Sequence, residues 1–488
     1  MIDLANRLVE ETRIGPSSTT IVTTATYDGA DNLRVVTLPN GNQVTRTYDA
    51  VNRLDTIYDS VGAILDLGYD ENGNITSRAD GLGHTWQYQY DQADRPIKLY
   101  DPLIEGGADK YTSLTYDGLG NRLTATDNNG ITTGFEYDKL SRLTKAVEHK
   151  NGTGDTANTQ TVYTYDGMGR VKTMADHNGN TTTYTYDAAG RLTDITFPDP
   201  SPNTLHYTYG VDNKSPKPIT RTDQKGVVTT FEWDNMYRLL QRTYPSRSDT
   251  FTYDRSGRLL TANNSLVNET FEYDILGRVT SLTQAYGASE TYTTTVSYAI
   301  GTPDSTATVT YPASREVVYT FDGRFRMTSV SGGTGVGVTR GLDLADQVIS
   351  SSFANGVSSV FDYDVNGRMT HMERFKNGEP PTMLVKYDYG YDAVGNRLYT
   401  RDLMATDRSE LYGYDARNRL RNFARGTLNA GPRARPKGAA TGSNGRRQTA
   451  PAKLFGAAPP DQERTEIIAN RQPAWISVPA AAPQGPHP

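Results

Sequence analysis

Tyr186-Asp187-Ala188-Ala189-Gly190-Arg191-Leu192 is one copy of a motif that recurs almost to the end of the chain. Copies start at Ile2, Tyr27, Tyr48, Tyr69, Tyr90, Tyr116, Tyr137, Tyr165, Tyr186, Tyr209, Trp233, Tyr253, Tyr273, Tyr298, Phe321, Leu342, Tyr363, Tyr391 and Tyr414. Of these 19 units, 17 open on an aromatic, and Asp follows in all but the copies at Tyr209 and Tyr298. The commonest spacing is 21 residues, with steps up to 28. Self-similarity at such a period marks a repeat architecture and outranks other sequence signals.

The physical unit can be read around this copy. Asp176-His177-Asn178-Gly179-Asn180 precedes Thr181-Thr182-Thr183-Tyr184-Thr185-Tyr186, and Asp187-Ala188-Ala189-Gly190 follows. Asp at the first position and Gly at the fourth suit a type I turn closed by a left-handed residue. The same chemistry recurs at Asp80–Gly83, Asp127–Gly130 and Asp223–Gly226. Between the turns lie Thr, Tyr, Val and Ile, which fit a pleated surface. Thr182, Tyr184 and Tyr186 share one face, and Thr181, Thr183 and Thr185 the other. One repeat is therefore two short antiparallel strands and two tight turns.

Nineteen such units make about 38 strands, a ribbon of roughly 180 Å at about 4.8 Å per strand. Open twisted sheets seldom exceed about 10 strands without curling. The expectation is an all-β chain whose tandem hairpins form a long coiled sheet, as a spiral shell or solenoid. Equivalent tyrosines would sit about 9.6 Å apart, with Leu192, Leu259 or Val279 of the return strand filling the gap. The tyrosine face is expected to be the buried one, each hydroxyl still needing a partner.

The positions that carry the repeat are Tyr48, Asp49 and Arg53; Tyr116, Asp117, Gly120 and Arg122; Tyr137, Asp138 and Arg142; Tyr165, Asp166, Gly169 and Arg170; Tyr186, Asp187, Gly190 and Arg191. They continue with Tyr253, Asp254, Gly257 and Arg258; Tyr273, Asp274, Gly277 and Arg278; Tyr363, Asp364, Gly367 and Arg368; Tyr391, Asp392, Gly395 and Arg397; Tyr414, Asp415 and Arg419. Arg stands five residues after the tyrosine, but six after it at Arg122 and Arg397, which reads as an inserted Asn.

The motif resembles the YD repeat of Rhs (rearrangement hotspot) proteins, shared with wall-associated proteins, toxin-complex C subunits and teneurins. The resemblance covers residues 1 to about 425. It implies a hollow β-shell, which in bacterial members encloses a variable C-terminal toxin released by self-cleavage. No Asp-Pro-x-Gly cleavage signature follows Tyr414, and neither a toxin domain nor a delivery region is recognised, so the chain reads as a piece of a longer member. The implied partners are the remaining shell and toxin portions, and the implied location is secreted or at the cell surface. The alternative is a wall-associated repeat protein that binds carbohydrate through exposed tyrosines.

Composition sets further bounds. The chain has no Cys, which excludes disulfides and thiol catalysis. Its start lacks the apolar segment of a signal peptide, and no run of 18 apolar residues suggests a transmembrane helix. Residues 421–488 carry net charge +7 and residues 1–420 carry −13, so nucleic acid is an unsuitable partner for the repeats. The repeat region is taken as 1–427. Residues 428–488, rich in Pro, Ala and Arg, read as a disordered or out-of-frame tail.

No catalytic, cofactor or metal constellation emerges, and the chain is not expected to be an enzyme. The six histidines are scattered, and no HExxH, GxSxG or Walker A motif occurs. Asp70-Glu71-Asn72-Gly73-Asn74 places oxygen groups at calcium-like spacing, but the heavier reading is a hairpin turn.

Overall fold

The computed structural model describes residues 1–14, 20–102, 110–148, 159–198, 203–210, 215–287, 290–301, 304–333, 335, 337–415 and 418–428. The tail expected at 428–488 lies outside them apart from Leu428, as do most of the longer insertions at 103–109 and 149–158. Among the described residues thirty-seven strands, from Glu10–Ile14 to Leu420–Gly426, form one sheet. Each strand pairs antiparallel with the next in sequence, as in Thr181–Tyr186 against Leu192–Thr196 and then Leu192–Thr196 against Thr204–Tyr209. The fold is all-β, broken among the described residues only by two three-residue 3-10 turns.

The turn chemistry sets the register. The Gly190 N–H donates to the Asp187 carbonyl at 3.0 Å, and the Asp187 N–H to the Arg191 carbonyl at 2.9 Å. Gly190 adopts φ 85°, so the return strand enters with one extra residue. Thr185 then faces Asp194, while Tyr186 faces Leu192. This bulge recurs in copy after copy and pins each hairpin by the same device. Copies without Gly place another residue in the left-handed region, among them Asn52, Ser141, Tyr237 and Phe325.

Neither face of the sheet is buried as the sequence suggested. Among the described residues only Val147, Leu282, Ala307, Val317 and Phe321 are buried hydrophobics. Most strand positions are half-covered, because cover comes from neighbours along the same face and not from a second layer. Stability therefore accumulates strand by strand, as in other quasi-one-dimensional repeats.

The sheet does coil. Residues 261 to 283 positions apart in sequence touch, so the late repeats lie against the early ones.

Candidate functional site

The motif forms a clamp between successive repeats. Asp187 Oδ1 accepts the N–H groups of Ala189 and Arg191, each at 2.9 Å. Its Oδ2 accepts Arg191 Nε at 2.7 Å and Nη2 at 2.6 Å. One carboxylate thus caps its own turn and grips the guanidinium in a fork. The grip recurs from Asp3–Arg7 to Asp415–Arg419, with Nε to Oδ2 distances of 2.5–2.8 Å. The N–H donors and the guanidinium favour the charged carboxylate. Chiefly through the Arg191 N–H, they hold the Asp187 carboxyl below its ordinary value.

The same guanidinium reaches the next repeat. Arg170 stacks over the Tyr186 ring at 4.5 Å, and its Nη1 points at the Asp187 carbonyl at 3.4 Å. The Tyr186 hydroxyl donates back to the Val171 carbonyl at 2.9 Å. Equivalent stacks include Arg53 on Tyr69, Arg142 on Tyr165, Arg258 on Tyr273 and Arg368 on Tyr391. The tyrosine hydroxyl bonds run from Tyr27 to Leu8 through Tyr391 to Met369, all at 2.6–3.1 Å. At Trp233 the indole Nε1 does the same, donating to the Pro218 carbonyl at 2.8 Å. The gap between tyrosines is thus filled chiefly by the arginine of the preceding repeat. The return strand's Leu or Val supplies the carbonyl. Even the degenerate Tyr209 and Tyr298 keep this contact, on Arg191 with Leu192 and on Arg278 with Val279.

Two motif arginines are corrected. Asn121 and Asn396 are replacements at the arginine position, not insertions. Asn121 Nδ2 donates to Asp117 Oδ2 at 2.9 Å, and Asn396 Nδ2 to Asp392 Oδ2 at 2.8 Å. Arg122 and Arg397 therefore occupy the place of Leu192, opposite Tyr116 and Tyr391. Arg122 stacks on Phe135 and Arg397 on Tyr389. The calcium-like Asp70 is engaged in the same way: its carboxylate accepts both the N–H and Nδ2 of Asn74.

A second arrangement joins the two windings of the sheet. The turns between repeats early in the chain meet motif turns late in it. Asn40 Nδ2 donates to the Gly323 carbonyl at 2.9 Å. Arg324 Nε and Nη2 each lie 2.7 Å from an oxygen of Asp59, and Nη2 also reaches the Gly62 carbonyl at 3.1 Å. The Asp59 side chain is 0% exposed and that of Arg324 9%. Burial raises the Asp59 carboxyl, but the hydrogen bonds from Arg324 and Val61 outweigh it and bring the value to about 2. Gly81 sits so close to the Leu344 backbone that a Cβ there would lie 2.4 Å from its oxygen. Further along, Asn129 Nδ2 donates to Asp392 Oδ2 at 3.1 Å. Open grooves of about 420 and 270 Å³ follow this seam, one between Gly83–Pro102 and Val365, the other between Asn129–Ile131 and Asp392–Asn418.

Cross-strand pairing also brings histidines to carboxylates, which linear spacing could not reveal. His371 Nδ1 lies 2.6 Å from Asp388 and Nε2 3.1 Å from Glu373, while His206 Nδ1 lies 2.6 Å from Asp194. Among the described residues no group of three or more such side chains is arranged to hold a metal ion. Nor, among them, is any helix long and apolar enough to cross a membrane.

The RHS repeat family model matches residues 27–64, 69–103, 116–154 and 165–201. Among solved structures, the Photorhabdus luminescens Tc holotoxin pore is similar over 84% of this chain and 23% of its own, at 15% identity and TM-score 0.61. The TcdB2-TccC3 complex without its hypervariable C-terminal region is similar over 84% of this chain and 25% of its own, at 14% identity and TM-score 0.56. The chain thus spans about a quarter of the length of the chains it matches, and at these identities the likeness is one of fold. No curated protein matches the chain closely enough to count as a relative.

Proposed function

We propose that residues 1–427, which carry four matches to the RHS repeat model, form part of the wall of a β-shell in a longer Rhs-type protein. In this reading the shell encloses or displays a C-terminal toxin and acts outside the cell, against competing bacteria. The chain's role is structural, not catalytic.

The observation that carries this reading is the seam. A repeat ribbon alone could be an open arc, but here Asp59 and Arg324 join one winding to the next. Stacked windings make a wall, and a wall can separate a lumen from solvent. The likeness to the Tc toxin shells supports the same architecture.

A glycan-binding surface receives less support. The motif tyrosines are stacked under arginines and their hydroxyls are taken by backbone carbonyls. Burial also pushes the Tyr165, Tyr186 and Tyr209 hydroxyls up in pKa, as expected of covered rings.

The test is a small reporter domain fused after Leu428 of the intact chain. Enclosure predicts digestion of the reporter much more slowly than when it is free. Equal rates would remove the encapsulating role.

A further inference from the structure

Successive motif turns lie side by side along one edge of the sheet, and they do not all meet in the same way. Two positions vary together: the residue four after the motif Asp, and the left-handed residue that closes the next turn. Where the first is Asn, its Nδ2 carries two N–H groups. One is spent on the motif Asp of its own turn, as in Asn32 on Asp28 and Asn121 on Asp117. The other reaches across to a side chain of the next turn. Asn32 donates to Asn52 Oδ1 at 3.1 Å, Asn74 to Asp94 Oδ1 at 2.7 Å, Asn121 to Ser141 Oγ at 3.1 Å and Asn396 to Asn418 Oδ1 at 2.7 Å. Each acceptor is the left-handed residue of its turn.

Where the first position is Arg, the longer side chain reaches the backbone of the next turn. Arg53 Nη1 donates to the Asp70 carbonyl at 2.7 Å, Arg95 Nη1 to that of Asp117 at 3.0 Å and Arg238 Nη1 to that of Asp254 at 3.0 Å. The left-handed residues of these turns are Gly73, Gly120 and Gly257, and the guanidinium lies 3.9–4.0 Å from where a Cβ would stand. A side chain longer than a methyl would contend for the guanidinium's place. The exceptions are acids that pair with it, Asp31 with Arg7 and Asp346 with Arg326. Among the described Asp-led turns, Asn never precedes a turn closed by Gly.

We infer that this pair of positions selects which repeat follows which. The turn and its hydrogen bonds are nearly the same in every copy, so they do not tell one neighbour from another. The matched pairs do. From Asn32 to Arg142 the two kinds of contact alternate, Asn with a polar acceptor and Arg with glycine. Skipping one hairpin would therefore bring Asn32 to Gly73, Asn74 to Gly120 or Asn121 to Gly169. In each case an amide N–H would face a turn that offers no side-chain acceptor, and the correct neighbour is favoured by the bond so lost. Misassembly between like units is a characteristic failure of repeat chains. The selection acts within the wall and needs no cargo.

The test is a pair of double-mutant cycles in the full chain, read by native-state hydrogen exchange. Arg170→Asn places Asn before Gly190 and should lower the protection of residues 165–196. Gly190→Asn alone should lower it too, because the new side chain meets the Arg170 guanidinium. Together they recreate the contact of Asn32 with Asn52, and protection should exceed the product of the single effects by about threefold or more. Arg170→Asn combined with Gly257→Asn, a left-handed glycine in a turn that Arg170 does not touch, should show no such excess. Asn121→Arg with Ser141→Gly makes the opposite conversion, and residues 116–147 should show coupling of the same sign. This second cycle decides the question if Arg170→Asn fails to fold. Single effects that combine independently in the cycles that fold overturn the inference, as does an equal excess with Gly257→Asn.

Discussion

Arg324 and Asp59 lie 265 residues apart in the chain, yet two guanidinium nitrogens meet the two carboxylate oxygens at 2.7 Å. Both side chains are nearly shut off from water. A desolvated pair of this kind gains little net stability over an apolar pair, but it penalises every other alignment of the windings. Its physical role is to set which repeat rests on which.

Removing one partner leaves the other charge buried. Arg324→Ala should cost about 3–5 kcal/mol locally. Hydrogen exchange should show lost protection around residues 38–63 and 322–347, with residues 165–196 unchanged. Uniform loss along the whole sheet would mean that the pair supports the strands and not the seam.

Gly81 gives an independent probe of the same seam. A Cβ there would lie 2.4 Å from the Leu344 oxygen and 2.7 Å from the Ala63 oxygen, both backbone atoms that cannot turn aside. Gly81→Ala should destabilise by about 1–3 kcal/mol through overpacking. Gly167→Ala, with nothing within 4 Å of the new methyl, is the control and should be neutral or slightly stabilising. Equal denaturation midpoints for the two variants would contradict the close approach.

Within a repeat, Tyr186→Phe keeps the ring under Arg170 but loses the hydroxyl bond to Val171. The expected cost is about 1 kcal/mol, and more where the freed carbonyl stays dry. Arg170→Lys should cost more than Tyr186→Phe, because an ammonium cannot fork onto Asp166 and lie flat on the ring together. The reverse order, measured by urea unfolding, would place the clamp's strength in the hydroxyl.

Gly190 tests the turn itself. Its Cβ would meet Arg170 Nη1 only at 3.5 Å, so space is adequate and the φ of 85° is the obstacle. Gly190→Val should cost about 1–2 kcal/mol, while Gly190→Asn should cost less. Similar melting for the two variants would show that the left-handed turn is not the source of the cost.

Acid should open the molecule. Asp187 is held low chiefly by the Arg191 N–H, Asp166 chiefly by the Arg170 side chain, and Asp59 lies at about 2. A depressed carboxyl contributes stability that is fully present above its unfolded value and is lost as pH falls through its folded one. The window therefore runs from about pH 4, the ordinary Asp value, down to about pH 2 for Asp59. Near-ultraviolet dichroism should decay across this window; a flat signal to pH 2 would argue against the carboxylate clamps.

The hairpin period, the bulged turn and the all-β class were legible in the sequence because they are local. Asp, Gly and the alternating Thr/Tyr run act within a few residues of one another. The arginine's reach was not legible, since it depends on the distance between adjacent hairpins. Nor was the true position of Arg122 and Arg397, because Asn121 and Asn396 fill the turn in the arginine's place and only strand register shows it. The seam was beyond any linear reading. Arg324 stands at a turn position whose residue varies from repeat to repeat, and nothing local marks Asp59 as its partner. The sequence by itself determined what one repeat is and that its sheet must curl. Tertiary structure alone decided the pitch of that curl, because small twists summed over many strands set which distant turns come within hydrogen-bonding distance.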